Sequence, residues 1–161
     1  MADASPAGAE AVAEGPPTAL SAAPGYQVRR LYQAYVAAWV RLVDPALTGP
    51  QFAVLTAVGA APGRDQSSMA SAVALDTSTM ADVARRLEGR GLLVRRTAPD
   101  DGRRKLLSLT EAGEEALAEA DRRARLLDER LLEPYGPGER TALLAELMAL
   151  ADHWEGLTGS I

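Results

Sequence analysis

The sequence predicts a mainly α-helical chain that carries one small β-hairpin. Three observations predict it. Beyond residue 25, apolar residues recur at three- and four-residue spacing over most of the chain. Two short helical stretches lie close together, opened by Asp65 and Asp76. Directly after them, two short strand-like runs flank a segment of turn composition.

In order along the chain, residues 1–24 are mostly Ala, Pro and Gly with almost nothing to bury, and are expected to form a disordered tail. Val28, Leu31, Tyr32, Tyr35, Trp39 and Leu42 then mark an amphipathic helix over 26–43, which Asp44-Pro45 ends or interrupts. Pro50 suits the first turn of a second helix, 51–60, stopped by Pro62-Gly63. Asp65 is expected to cap a third helix, 66–74, with Met69, Ala70 and Val73 on its core side. Asp76 caps a fourth, with Thr77, Ser78 and Thr79 in its first turn and Met80, Val83, Ala84 and Leu87 on one face. It runs to about Arg90, where Gly91 supplies the stop. Two helices joined by a tight turn read as a helix-turn-helix.

Strands are expected at 92–97 and 105–109, and the segment between them holds Pro99, Asp100, Asp101 and Gly102. A helix-turn-helix followed by a hairpin is a winged helix. Thr110 and Glu111 open a long helix to about Leu132, with Glu114 placed for a capping box. Its apolar positions are Leu117, Ala120, Ala124, Leu127 and Leu131. A break at 134–138 precedes a last helix, 139–155, carrying Leu143, Leu144, Leu147, Leu150, Ala151 and Trp154.

Composition narrows the chemistry. The 161 residues include no cysteine, hence no disulfide, thiol nucleophile or Cys-bound zinc. The single histidine, His153, is expected to be structural. No phosphate-cradling Gly loop and no spaced metal ligands occur, so neither an enzyme nor a cofactor or metal site is expected. No run approaches the roughly 18 apolar residues of a membrane span, and no secretory signal opens the chain, so no membrane contact and a cytoplasmic location are expected. The net charge of -5 conceals an uneven distribution. Residues 85–105 hold 8 cations against 3 acids, while residues 111–161 hold 5 against 12. Association with a polyanion depends on that local field.

Four motifs now stand in order: Asp-x-Ser-Thr at 76–79, Arg-Leu-Glu-Gly-Arg-Gly-Leu at 86–92, Asp-x-Arg at 101–103 and Leu-Thr-x-x-Gly at 109–113. Together with "LTGPQFAVLTAV" at 47–58, the set resembles the MarR family of bacterial winged-helix transcription factors, over about residues 25–155. The chain departs from the family pattern at Met69 and Val73, where Leu is usual, and at Asp82 on the exposed side of the fourth helix. "GYQVRRLYQAY" with "ALDTSTMADVARRLE" is similar to members that regulate aromatic-acid catabolism.

The resemblance implies a winged helix-turn-helix domain, 48–110, flanked by dimerisation helices in 25–47 and 111–161. It implies a homodimer on double-stranded operator DNA. An α-helix fits the major groove, and the outward residues Thr77, Ser78, Thr79, Asp82, Arg85 and Arg86 are the DNA-binding candidates. Thr77 and Ser78 can meet a base edge or a phosphate, and Arg85 can fork onto guanine or a phosphate. Asp82 can accept from cytosine, or hold Arg85 or Arg86 by an i,i+3 or i,i+4 pair. The bland alternative is that Asp76, Thr77 and Ser78 only cap the helix, and both uses are compatible. Arg103 matches the family's wing arginine, Asp101 the acid that braces the wing, and Arg104 and Lys105 would flank the backbone. The resemblance also implies a small anionic, often aromatic, effector, with Tyr26, Arg29, Arg30, Tyr35, Trp39 and Phe52 as candidates. The expected function is a ligand-released repressor. The alternative is a winged-helix module that binds a protein partner, or binds DNA without a ligand switch.

Overall fold

A computed structural model of the chain describes residues 15–158. The chain divides into two compact units, Met1–Tyr35 and Val36–Ile161. Among the described residues are seven helices and one two-stranded antiparallel hairpin. The mainly α architecture with a small hairpin is the one the sequence predicts.

In the first unit, α1 (Thr18–Ser21) and the start of α2 (Pro24–Leu42) correct the expected tail. Residues 1–14 of that tail lie outside the described residues. Pro17 holds an extended backbone and its carbonyl accepts from Leu20 N (2.9 Å) and Ser21 N (3.0 Å), which closes one helical turn. Helix formation here needs no buried face, which is why composition pointed elsewhere.

In the second unit, α3 (Gly49–Ala60) lies against α4 (Gln66–Ala72), α5 (Thr77–Gly89), β2 (Lys105–Leu109) and α6 (Glu111–Leu131). It opens on a capping box that the sequence reading missed: Thr48 accepts from Gln51 N, and Gln51 Oε1 accepts from Thr48 N (3.1 Å). Val54, Leu55 and Val58 of α3 are fully buried, with Met69, Met80, Ala84, Leu87, Leu93 and Leu107. Burying each of the larger side chains contributes roughly 1.5–3 kcal/mol. Gly59 keeps α3 close to its neighbours, since a Cβ there would lie 3.1 Å from Leu117 and 3.2 Å from Leu109.

Between α4 and α5 the chain reverses through Ala74, a non-glycine residue at φ 52°. Leu75 N reaches back to Ala70 O (3.0 Å). Val73, expected on the core side, is only half-buried because it already ends α4.

The hairpin pairs β1 (Leu93–Thr97) with β2 in a register running from Leu93 opposite Leu109 to Thr97 opposite Lys105. A short third rung joins it: Gly63 N donates to Leu107 O (2.7 Å), Leu107 N to Arg64 O (3.0 Å), and Asp65 bridges Leu106. Gly63, at φ +79°, supplies the backbone bend that puts this rung beside β2.

The junction from β2 into α6 is tight. Thr110 caps α6 by accepting from Gly113 N (3.0 Å), while its own hydroxyl donates to Gly91 O (2.6 Å). Thr110 N donates to Leu92 O (3.2 Å). The N3 position of α6 is therefore Gly113, which has no side chain, and the capping box expected from Glu114 does not form. A Cβ on Gly113 would sit 1.9 Å from Leu92 O, a backbone atom.

Finally, α7 (Pro137–Thr158) buries none of its residues 137–157 and leaves Leu144, Leu147, Met148 and Leu150 open. Two glycine substitutions separate packing from backbone freedom. Gly113→Ala should lower stability by at least about 2 kcal/mol. Gly89→Ala, at a helix position with open space around it, should raise it by about 0.5–1 kcal/mol. Denaturant midpoints check both; equal effects would contradict the close approach at Leu92.

Candidate nucleic-acid interface

The first turn of α5 is organised by Asp76. Its Oδ1 accepts from Ser78 N (2.9 Å), Thr79 N (2.9 Å) and Ser78 Oγ, and its Oδ2 accepts from Thr79 Oγ1. The Ser78 hydroxyl, followed by that of Thr79, holds the Asp76 carboxyl well below the usual carboxylate range. Ser78 and Thr79 are thus part of the cap and remain exposed on the outer side, as does Thr77. Met80, Val83, Ala84 and Leu87 are buried beneath them. Asp82 takes the first of its two predicted pairings: Arg85 Nη2 lies 2.7 Å from Asp82 Oδ1, with both side chains more than half exposed.

The hairpin is pinned to α5 by an ion pair that the sequence did not single out. Arg95 of β1 donates through Nε (2.7 Å) and Nη2 to Glu88 Oε2. This hydrogen-bonded pairing with Arg95 also keeps the Glu88 carboxyl below its ordinary value. The tie fixes the angle between hairpin and helix, because Glu88 sits in the last turns of α5 and Arg95 at the middle of β1.

At the hairpin tip, Asp101 Oδ1 accepts from Arg103 N (2.9 Å) and Asp101 O accepts from Arg104 N (3.0 Å). Arg104 pairs with Asp100 (3.1 Å) and lies 3.8 Å from Asp65. Lys105 Nζ donates to Thr97 Oγ1 (2.7 Å) across the two strands. The cations of residues 85–105 therefore divide into two sets. Arg85, Arg90, Arg95, Arg104 and Lys105 have partners within the fold. Arg86, Arg96 and Arg103 are exposed, and among the described residues their guanidinium groups have no hydrogen-bond or ion-pair partner. Arg96 was absent from the sequence-derived candidates. Its alternation with Arg95 along β1 was the signal that could have found it, since neighbouring strand residues face opposite ways.

The effector candidates fall in both units. Within the first, the Arg29 guanidinium sits 5.5 Å from the centre of the Tyr26 ring. Arg30 is exposed and Tyr35 half-buried. Within the second, Trp39 is 3% exposed, its Nε1 donates to Leu47 O (2.6 Å), and its ring centre lies 5.1 Å from that of Phe52 at 49°. So buried a tryptophan serves the core first, and only the half-buried Phe52 edge of the pair reaches the surface.

Comparison with known proteins agrees with this geometry. Residues 47–105 match the sequence pattern of the MarR family. The transcriptional regulator HosA of Escherichia coli O111:H- is 36% identical over 123 residues, which span 76% of this chain and 90% of HosA. The crystal structure of the transcriptional regulator PcaV from Streptomyces coelicolor, in complex with its natural ligand, superposes with a TM-score of 0.80 at 38% identity. That match covers 83% of this chain and 94% of PcaV. The repressor CouR bound to a 23-mer DNA duplex gives a TM-score of 0.76 at 35% identity, over 83% of this chain and 96% of CouR. CouR bound to p-coumaroyl-CoA gives 0.75 at 34%, over 83% and 95%.

The lowered carboxylates predict an acid limb. Asp65, Asp76, Glu88 and Glu119 are all held below their ordinary values of 3.8 for Asp and 4.5 for Glu. A group depressed in the folded state contributes stability that is complete above its unfolded pKa and is lost as pH falls toward its folded one. Denaturant midpoints should therefore fall between about pH 5 and pH 2. Asp76→Asn keeps an acceptor for both backbone N–H groups but cannot titrate, so its acid limb should be shallower. An unchanged slope would contradict the assignment.

Proposed function

The chain belongs to the MarR family of transcriptional regulators, and on that premise we propose that it is a repressor. It binds a pseudo-palindromic operator as a homodimer, with α5 in the major groove and the hairpin tip at the minor groove. It leaves the operator when a small aromatic or phenolic acid, or its thioester, binds. The observation that carries the DNA contact is the division of cations. The fold consumes five of the eight in residues 85–105 and leaves Arg86, Arg96 and Arg103 for an outside anion. A narrow minor groove concentrates negative potential, and an unpaired arginine at a hairpin tip suits it. Asp101 shapes that tip through Arg103 N.

Thr77, Ser78, Thr79, Asp82, Arg85 and Arg86 are the proposed groove contacts of α5. Arg85 engages DNA only by sharing or leaving Asp82, a small cost for so exposed a pair. Arg104 and Lys105 flank the phosphates from their internal partners. The proposed dimer rests on apolar side chains left open: Leu31, Tyr32 and Val40 on α2, and Leu144, Leu147 and Met148 on α7. Two-fold pairing would set two copies of α5 about one DNA turn apart. The effector proposal rests on Tyr26, Arg29, Arg30, Tyr35, Trp39 and Phe52, and on the p-coumaroyl-CoA complex of CouR. A guanidinium can fork onto a carboxylate while rings stack on an aromatic body. The effector acts only through its different affinities for the two states.

Two outcomes test the proposal. Arg103→Ala should weaken binding to the intergenic duplex beside the gene by about tenfold or more, with unchanged melting, and lower the salt dependence. A mobility shift series in salt measures it, and unchanged affinity would remove the hairpin tip from the interface. Arg29→Ala or Arg30→Ala should blunt release by p-coumaroyl-CoA or a panel of hydroxylated aromatic acids while leaving DNA affinity intact. Normal release in both variants would remove these two arginines from the ligand site.

A further inference from the structure

The loop over residues 43–48, between α2 and α3, is short, yet three of its carbonyl oxygens are taken by long side chains from three different elements. Arg123 Nη1 of α6 donates to Val43 O (3.0 Å). Arg90 Nη1, at the C-terminal cap of α5, donates to Ala46 O (2.7 Å). Trp39 Nε1 of α2 donates to Leu47 O (2.6 Å). Inside the loop, Asp44 Oδ1 accepts from Ala46 N (2.6 Å) and Leu47 N (3.1 Å). Arg90 Nη1 also reaches Gln51 Oε1 (3.4 Å), the same oxygen that closes the capping box of α3. Leu47 is 1% exposed and Gln51 7% exposed, so neither can shift without disturbing packed neighbours.

We propose that Arg90 is a positioning residue that couples the loop to the DNA-reading helix. Leu47 and Ala46 are one peptide apart. A shift of Trp39 that carries Leu47 O must carry Ala46 O, and Ala46 O holds Arg90. The bond from Arg90 to Ala46 O is exposed, so water can serve that carbonyl in place of the arginine and stability alone does not require Arg90. The bond crosses from the end of α5 to the loop between α2 and α3, 44 residues apart in sequence. Coupling between two sites is reciprocal. DNA on α5 must therefore change the surroundings of Trp39, and anything that displaces the Trp39–Phe52 pair must change affinity for DNA. This inference rests on the DNA-binding reading above and gives that reading its internal route.

The chain has two tryptophans, Trp39 and Trp154, so 5-fluorotryptophan labelling yields two fluorine resonances, assigned with Trp154→Phe. The probe is a duplex selected by the full chain from a randomised library. On saturation with it, the Trp39 resonance of the parent should shift. In Arg90→Met the duplex should bind about fivefold or more weakly, and at saturation the Trp39 resonance should stay near its free position. Arg90→Lys, which can still donate to Ala46 O, should recover part of the shift. Melting curves of both variants should match the parent. A full Trp39 shift in Arg90→Met, or no Trp39 shift in a parent that binds the duplex, overturns the coupling and leaves DNA binding standing. Failure to select any duplex overturns the DNA-binding reading itself.

Discussion

The carbonyl oxygen of Leu92 occupies the place where a side chain on residue 113 would begin. With a Cβ there the separation would be 1.9 Å, so the backbone of α6 reaches that oxygen only because residue 113 is glycine. Around this approach, Thr110 N bonds Leu92 O, Thr110 Oγ1 bonds Gly91 O, and Gly91 takes the left-handed φ of +71° that turns the chain out of α5. The end of α5, the base of the hairpin and the start of α6 are thus one joint. Leu93 pairs with Leu109 directly beyond it, so the direction of the hairpin follows from the joint. If α6 shifts, hairpin and helix shift with it, because packed joints move as bodies and do not stretch.

Charge is arranged around the same frame. Arg95 is committed to Glu88, Arg104 to Asp100, Lys105 to Thr97 and Arg90 to Ala46. Of these, the part-buried Arg95–Glu88 pair ties the hairpin to α5, while Arg104 and Lys105 bond within the hairpin and Arg90 bonds the loop before α3. Arg86, Arg96 and Arg103 are the cations of residues 85–105 that keep no such partner among the described residues, on a chain whose net charge is -5. The acidic surplus lies in residues 111–161, where α6 neutralises part of it internally through Glu119 with Arg122 and Arg123, and Asp121 with Arg125.

Most helices were legible because each announces itself locally. Asp65, Asp76 and Thr110 cap where the sequence places them, and the three- and four-residue spacing of Met80, Val83, Ala84 and Leu87 marks one buried face of α5. Features that depend on distant backbone were not legible. The rung at Gly63 and Arg64 has no alternating pattern of its own and exists only because β2 lies beside it. The turn at Ala74 adopts positive φ without the glycine that would have signalled it. The need for glycine at 113 appears only once Leu92 O is in place, although the spacing Leu-Thr-x-x-Gly carried the trace of it. At the candidate site, residue types were legible but their partners were not. The sequence showed a cationic cluster; the structure shows which members of it the fold has already used.

The proposed contact with DNA is a two-point grip, with α5 in one groove and the hairpin tip, tied to it through Arg95 and Glu88, at the next. The absence of cysteine permits a direct measurement. Gly102→Cys lies at the tip, where a side chain meets nothing within 4 Å, and provides a unique attachment point for an iron chelate that cleaves DNA locally. Bound to a selected duplex as the proposed dimer, the labelled protein should cut at two minor-groove positions placed symmetrically about the site's centre. Uniform cutting, or none beside a normal mobility shift, would show that the hairpin does not meet DNA and would contradict the account.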